Sequence, residues 1–315
     1  MHIPRCSLVI AALPAAFALH ALGGAAMVAQ SPSALPMQSL PLCTADAAAP
    51  PAIAPGGPVA SAAPGASSVA VTDELTIGAA ASLRGALEAM APTYTAETGI
   101  SLVSTFDASS ALRTQVEEGA PIDVFASADV ANVERLVTAG MAYLPVAFAC
   151  TQLTIIVPAG NPAGITSAAD LARPGLKIIA AGEDVPITRY AVQLVENLGI
   201  TDGYTANVVS KEDNVAAVRS KIEIGEGDAG IVYVTDVITS GDLVEQIPVP
   251  QEANVPATYA AAIVTGTDQP DESAAFLDHL TGPRGQAALA SFGFLAAPAD
   301  AMAGQGVTRS PSARR

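Results

Sequence analysis

Four places in the sequence join a short apolar run to a helical pattern through a small or polar residue. The first follows the β-type run Glu74–Gly78, where Ser82 precedes apolar residues at helical spacing. The others begin at Ser109, after Pro186 and at Asn214. A helix N-terminus offers unpaired backbone N–H groups and about half a positive charge, so such a junction can hold an anion without a cationic side chain. Alternatively, Ser82 only caps its helix, as serine often does.

The elements that position these junctions follow from the alternation of strand and helix patterns. Strands are predicted at 74–78, 100–106, 121–126, 153–157, 176–180, 208–209, 229–234 and 259–264, and helices at 83–98, 111–118, 129–139, 187–198, 215–224, 273–280 and 285–292. This alternation predicts an α/β fold with mainly parallel sheets flanked by helices. Ligands bind outside the carboxyl ends of strands in such sheets, and four helix N-termini supply about two positive charges there, enough to balance one dianion. Asn214 is predicted to be an N-cap.

Composition limits the kinds of partner. The 315 residues include 30 acidic and 14 basic side chains, for a net charge of -16, which argues against binding nucleic acid or an anionic membrane through the bulk field. The length suggests about two domains.

The two ends of the chain differ from its centre. Residues 1–29 contain Arg5, the apolar run Leu8–Leu22 and small residues, a pattern typical of a secretory signal peptide, so the protein is expected to be exported. A membrane anchor is the alternative, but the apolar run is shorter than a bilayer span. Residues 30–72, rich in Ala and Pro, are predicted to be a disordered linker, and residues 299–315 a disordered tail.

Histidine and cysteine usage argues against most catalytic and metal sites. Of three histidines, only His279 lies outside the predicted signal peptide, so a serine hydrolase using Ser82 or Ser109 would depend on it, and no GxSxG elbow surrounds either serine. Cys43 follows a poor match to a lipoprotein cleavage box. Cys150 is interpreted as a core or strand-end thiol, and a bridge between Cys43 and Cys150 stays open.

Several motifs together resemble the periplasmic molybdate-binding proteins of molybdate ABC transporters. The similarity extends from about Glu74 to Phe294, and its motifs are Ala79–Leu83, Phe106–Ser110, Gly119–Asp129, Glu212–Val215 and Gly230–Tyr233. The resemblance implies a monomeric, non-enzymatic receptor with a two-lobed type II periplasmic-binding-protein fold and no cofactor, which delivers its ligand to a membrane permease. The predicted lobes are residues 73–156 with 258–298 and residues 157–257, joined by two crossovers near Thr154–Val157 and Thr258–Ile263.

The resemblance also implies which groups contact the oxyanion. These are the hydroxyls and amides of two serines, two backbone amides and one phenol, at Ser82, Ser109, Ile187, Val215 and Tyr233. The sequence departs from the family pattern where Ile187-Thr188 replaces small residues and where Asp107 stands beside the site. Asp107 is expected to cap a turn. Arg84, Arg113 and Arg189 follow proposed contacts and are interpreted as solvated helix-surface residues rather than a cationic rim.

The donors also suggest which anion is preferred. A cage made only of hydrogen-bond donors suits a fully deprotonated tetrahedral anion such as molybdate or tungstate, whereas hydrogen phosphate carries a proton that needs an acceptor. Sulfate is also fully ionised, so its exclusion depends on cavity size. The alternative hypothesis is therefore the same fold with another small oxyanion, such as sulfate or thiosulfate.

Overall fold

The strands form two separate sheets in the computed structural model, which describes residues 43–44 and 73–297. The strands in these residues are β1 Asp73–Ala80, β2 Ile100–Asp107, β3 Val124–Ser127, β4 Ala142–Thr151, β5 Leu153–Pro158, β6 Ile178–Ala181, β7 Val208–Glu212, β8 Ala229–Tyr233, β9 Val244–Ile247, β10 Ala257–Val264 and β11 Leu295–Ala296. The helices are α1 Arg84–Thr98, α2 Ser109–Glu117, α3 Val130–Thr138, α4 Pro186–Asn197, α5 Thr201–Asn207, α6 Val215–Glu223, α7 Val234–Ser240, α8 Pro270–Thr281 and α9 Pro283–Ser291, and short 3₁₀ turns occupy Ala81–Leu83, Ala168–Ala172 and Gly241–Leu243.

Each sheet is the centre of one lobe. The six-stranded sheet has the order β11-β4-β10-β3-β1-β2 and defines lobe 1, and the five-stranded sheet has the order β7-β6-β8-β5-β9 and defines lobe 2. The chain enters lobe 2 at Gln152, between β4 and β5, and returns between β9 and β10. The predicted two-lobed α/β fold is confirmed. Strand pairing puts β5 in the second sheet, so the first crossing lies a few residues before the predicted change at 156/157. Strand β10 lies wholly in the first sheet, so the second crossing precedes the predicted Thr258–Ile263.

Both sheets are mixed, which corrects the prediction of mainly parallel sheets. In lobe 1, β1 runs parallel to β2 and β3, but β10 is antiparallel to β3 and β4. In lobe 2, β6 runs parallel to β7 and β8, whereas β5 is antiparallel to β8 and β9. The antiparallel pairings involve the strands next to the crossings, because a strand that enters from the other lobe arrives from the opposite end of the sheet.

Helix α1 shows how local pattern and packing agree. Its buried residues Ala86, Leu87, Met90 and Tyr94 recur at helical spacing and form one apolar face. Gly99 ends the helix at φ 78°, a left-handed conformation that glycine adopts without a Cβ clash. This face packs in the main core, which also contains the fully buried strands β5 and β10. The core therefore holds the first junction in place.

A disulfide fixes part of the predicted linker to lobe 1. Cys43 is bonded to Cys150 near the end of β4, and its backbone N–H donates to the Thr258 hydroxyl at 2.8 Å. Cys150 and Thr258 are register partners of β4 and β10. The interpretation of Cys150 as a free thiol was wrong, and the linker is not disordered at Cys43. Spacing alone could not show this pairing, because it depends on where β4 ends in the fold.

The remaining predictions for the ends of the chain lie outside the described residues. These are the signal peptide at 1–29, the linker at 30–72 apart from positions 43 and 44, and the tail at 299–315. Within residues 43–44 and 73–297, no helix has the length and apolar character that a membrane crossing requires.

Candidate functional site

Three strands from each lobe, parallel to one another within that lobe, end around one small cavity. In lobe 1 these strands are β1, β2 and β3, and in lobe 2 they are β6, β7 and β8. The cavity has a volume of about 10 Å³, space on the order of one water-sized sphere. Its walls come from both lobes, with Ala80–Ser82, Asp107–Ser109 and Ala128 on one side and Val185–Ile187, Asn214, Val215 and Tyr233 on the other.

All five residues predicted to contact the ligand line this cavity. They are Ser82, Ser109, Ile187, Val215 and Tyr233. Four of them lie at or near the beginning of a helix, where the first N–H groups have no partner within the helix. The structure thus brings together four helix N-termini and one phenol that are far apart in the sequence.

Ser82 is held differently from the expectation. It lies inside the 3₁₀ turn Ala81–Leu83 and makes no side-chain capping bond, so the interpretation of Ser82 as an N-cap was wrong. Its hydroxyl instead forms a 2.7 Å hydrogen bond with the Tyr259 hydroxyl of β10. The tighter turn places the serine before the α-helix proper, and β10 fixes its side-chain direction.

Ser109 is the first residue of α2, and Ala108 occupies the N-cap position. The Ser109 hydroxyl oxygen accepts a hydrogen bond from the Ala128 backbone N–H at 3.0 Å. Because that bond uses a lone pair, the hydroxyl proton can still be donated to a guest. The bond also ties the beginning of α2 to the end of β3.

In lobe 2, two helices begin at the cavity. Pro186 and Ile187 are the first residues of α4, and the Ile187 side chain is buried in the core at 2% exposure. Val215 is the first residue of α6, and the Asn214 side chain accepts a hydrogen bond from the Ala217 N–H at 3.0 Å. The predicted N-cap at Asn214 is confirmed.

Tyr233 ends β8 with its hydroxyl buried and without a hydrogen-bond partner. Complete burial, followed by the influence of nearby Tyr259, raises the pKa of Tyr233 well above its usual value. The phenol is therefore protonated and can donate. Edge-on contacts with the rings of Tyr259 and Tyr190, at 5.7 and 6.5 Å between centroids, hold its ring.

Asp107 caps a turn, as expected, but it also reaches the other lobe. One of its carboxylate oxygens accepts from the Ala108 N–H at 2.7 Å and from the Asn214 side-chain amide at 3.1 Å. Sequence patterns gave no signal for the second bond, since it depends on how the lobes meet. The carboxylate thereby joins the beginning of α6 to the end of β2.

Asp236 lies behind the cavity and was not singled out by sequence. It is fully buried in α7 and accepts a hydrogen bond from the Tyr233 N–H at 3.1 Å. Burial raises the pKa of Asp236 to about 7, although Arg219 and this hydrogen bond act in the opposite direction. Its protonation can therefore change near neutral pH directly behind Tyr233.

Among the described residues that line the cavity there is no arginine, lysine or histidine. Arg84 pairs with Glu88 in its own helix and lies over the Phe106 ring, and Arg113 donates to Asn132. Arg113 is also paired with Glu117 and only 17% exposed, and Arg189 forms a 2.7 Å ion pair with Asp129, so the interpretation of these two as solvated surface residues was wrong. An anion in this cavity would meet neutral donors and the Asp107 carboxylate, which is bonded to Ala108 and Asn214, but no cationic side chain.

The hydrolase alternative receives no support from this arrangement. His279 is in α8 and packs against Tyr94, with 4.9 Å between ring centroids. It is not among the residues around Ser82 and Ser109. The serines contact a phenol and a backbone amide instead of a base.

Comparison with known proteins identifies the family. The model of the bacterial extracellular solute-binding proteins matches residues 75–295. The chain belongs to this family. The molybdate-binding protein of Mycobacterium tuberculosis H37Rv is 36% identical over 246 residues, which are 78% of this chain and 89% of that protein. The resemblance to molybdate-binding proteins of ABC transporters is thereby confirmed.

Solved structures show the same fold. The periplasmic molybdate-binding protein of Azotobacter vinelandii has a TM-score of 0.64 and 24% identity, with 71% of this chain and 100% of that chain covered. A sulfate-binding protein of M. tuberculosis H37Rv has a TM-score of 0.63 and 21% identity, with coverage of 73% and 89%. At these identities the similarity concerns the fold alone. Solute-binding proteins of this family act outside the cytoplasm and belong to transporters.

Proposed function

We propose that the chain is the substrate-binding component of an ABC importer and captures molybdate, or the similar tungstate, in the cavity between its lobes. The observation that carries this proposal is the meeting of Ser82, Ser109, Ile187, Val215 and Tyr233 in one cavity without a cationic side chain. The 36% identity to a molybdate-binding protein supports the choice of anion.

The binding reaction follows from the donors. With the lobes apart, the anion reaches the helix N-termini of one lobe, and rotation of the second lobe adds the remaining donors. The Ser82 and Ser109 hydroxyls, the amides at Ile187 and Val215, and the Tyr233 phenol then replace the hydration of the anion. Because these groups donate, a fully deprotonated dianion is favoured over hydrogen phosphate.

The proposed function also includes export of the protein and delivery of its ligand. The predicted signal peptide exports a monomer, which delivers its ligand to the membrane permease and catalyses no reaction. A role as receptor explains the buried donor set without requiring a base near either serine.

Thermal unfolding with a panel of anions tests the proposed function. A ligand that binds only the folded state raises stability by mass action, by about 4 kcal/mol at a thousand times its dissociation constant. We expect a large rise in Tm with molybdate and tungstate and little with phosphate. Equal rises with sulfate and molybdate would favour the sulfate or thiosulfate alternative, and no rise with any of these anions would contradict the proposal.

A further inference from the structure

Asp129 lies at the end of the Gly119–Asp129 motif, and the ligand site leaves it without a role. It is the N-cap of α3, and its carboxylate is 2% exposed. It accepts hydrogen bonds from the Asn132 backbone N–H at 2.9 Å, from the Asn132 side-chain amide at 3.0 and 3.1 Å, and from the Ser127 hydroxyl at 3.0 Å. The carboxylate is therefore fixed within lobe 1 whatever the other lobe does.

A cation from lobe 2 completes this group. Arg189 projects from α4, two residues after Ile187, and its guanidinium donates to the second carboxylate oxygen of Asp129 at 2.7 Å. The Arg189 side chain is 55% exposed, so it can be rehydrated when the lobes separate. Asp129 caps α3 in lobe 1 and Arg189 lies in α4 of lobe 2, so the pair can persist only while the lobes are together.

We propose that Arg189 is a positioning residue whose ion pair with Asp129 holds the lobes closed and slows release of the bound oxyanion. The inference rests on the proposed function, because it concerns the ligand of the same cavity. A contact made only in the closed state shifts the population toward that state without touching the ligand. It therefore acts mainly on the dissociation rate, whereas capture depends on the open form.

The Arg189→Gln variant tests the ion pair with little risk to the fold. Asp129 keeps its bonds to Ser127 and Asn132, and the beginning of α3 continues to stabilise its charge. Lys211→Gln is a matched control. Lys211 is also 55% exposed and lies in lobe 2, but its 2.8 Å ion pair with Glu183 stays within that lobe. Arg189→Lys retains the charge.

Stopped-flow measurement of molybdate binding can use tyrosine fluorescence, because the chain has six tyrosines and no tryptophan. We expect Arg189→Gln to raise the dissociation rate by roughly 5- to 10-fold, with a much smaller change in the association rate. Lys211→Gln should match the wild type, and Arg189→Lys should lie between. Equal dissociation rates in Arg189→Gln and Lys211→Gln would overturn the proposal. A salt-dependent fall in the association rate of Arg189→Gln, with its dissociation rate unchanged, would also overturn it, because that result indicates steering of the anion.

The experiments distinguish failure of the proposed oxyanion binding from failure of the proposed role of the Arg189–Asp129 ion pair. If the wild-type chain binds none of the oxyanions, the function is wrong, and small-angle scattering of the unliganded chain then decides the role of Arg189. A larger radius of gyration in Arg189→Gln than in Lys211→Gln supports an ion pair that keeps the lobes together. Identical scattering of the two variants overturns it.

Discussion

At the scale of single residues, the site relies on neutral groups that are already directed by the protein. The Ser82 hydroxyl is positioned by Tyr259, and the Ser109 oxygen is engaged by the Ala128 N–H. The Tyr233 hydroxyl has no partner in the described structure. Removal of each hydroxyl should affect the stability of the unliganded protein differently. Stability and affinity measurements can therefore separate the role of each group in folding from its role in binding.

Removal of the Ser109 hydroxyl should weaken binding. In Ser109→Ala one charge-assisted hydrogen bond to the anion is lost, at a cost of about 1.5–3 kcal/mol, or roughly 10- to 100-fold in affinity. Titration calorimetry with molybdate measures this loss. Ser110→Ala is the control, since Ser110 is not among the cavity-lining residues. Unchanged affinity in Ser109→Ala would exclude Ser109 from the site.

Removal of the Tyr233 hydroxyl should change stability and binding in opposite directions. A buried hydroxyl without a partner carries a desolvation cost of about 1–3 kcal/mol, so Tyr233→Phe should stabilise the unliganded protein by up to that amount. The same variant should bind molybdate more weakly. Denaturant unfolding and calorimetry measure the two quantities. A variant that is less stable when empty, or that binds as tightly as the wild type, would contradict the role given to this phenol.

At the scale of elements, the junction of β8 and α7 contains a titrating group behind the site. The pKa of Asp236 is raised to about 7 in the folded protein, against an ordinary value of 3.8 for an aspartate. Between these values the folded state retains a proton that the unfolded state has lost. The contribution of Asp236 to the free energy of unfolding therefore falls as pH rises, by about 1.4 kcal/mol per pH unit, and the loss is complete above pH 7.

Asp236→Asn should remove this dependence while its side-chain oxygen can still accept from the Tyr233 N–H. We expect the variant to gain stability relative to the wild type as pH rises from 5 to 7. Urea unfolding at several pH values measures the difference, and subtraction of the two proteins cancels the other titrating groups. A constant difference across this range would show that Asp236 is already ionised in the folded protein.

Sequence patterns predicted the elements that follow local rules. Asn214 precedes an apolar helical pattern with cap chemistry, so the beginning of α6 was recognised. Helices α5 and α7 were missed, and so were the strands β4, β9 and β11. The short α5 contains Gly203, and α7 consists of Val, Thr, Ile, Ser and Asp, residues that do not favour helix by themselves. Tertiary packing decides these segments, because α7 packs on β5, β8 and β9 and α5 packs on α4 and the 3₁₀ turn Ala168–Ala172.

The sequence predicted the residues of the candidate site better than it predicted the local contacts around them. Motif resemblance indicated five residues expected to contact the ligand, and the structure brings all five to the wall of one cavity. The 3₁₀ turn at Ser82 and the bond between Asp107 and Asn214 were not predictable, because both depend on contacts between segments distant in sequence. The ion pair of Arg189 belongs to the same class.

At the scale of the whole molecule, the Cys43–Cys150 disulfide closes a loop with a sequence separation of 107. A cross-link of this span restricts the unfolded chain and is worth about 2–4 kcal/mol. We expect reduction to lower the Tm of the chain. The Cys43→Ser/Cys150→Ser variant should unfold at the lower temperature and show no further change with reductant. An identical Tm for oxidised wild type and variant would contradict a stabilising role.

Donors from both lobes are expected to surround one oxyanion, and a crystal structure of the chain grown with molybdate tests this arrangement. Anomalous scattering from molybdenum locates the ligand without reference to the protein. We predict one peak per chain, in the cavity and within hydrogen-bonding reach of Ser82, Ser109, Val215 and Tyr233. A peak bound to one lobe only or outside the cavity, or no peak at saturating molybdate, would rule out this arrangement.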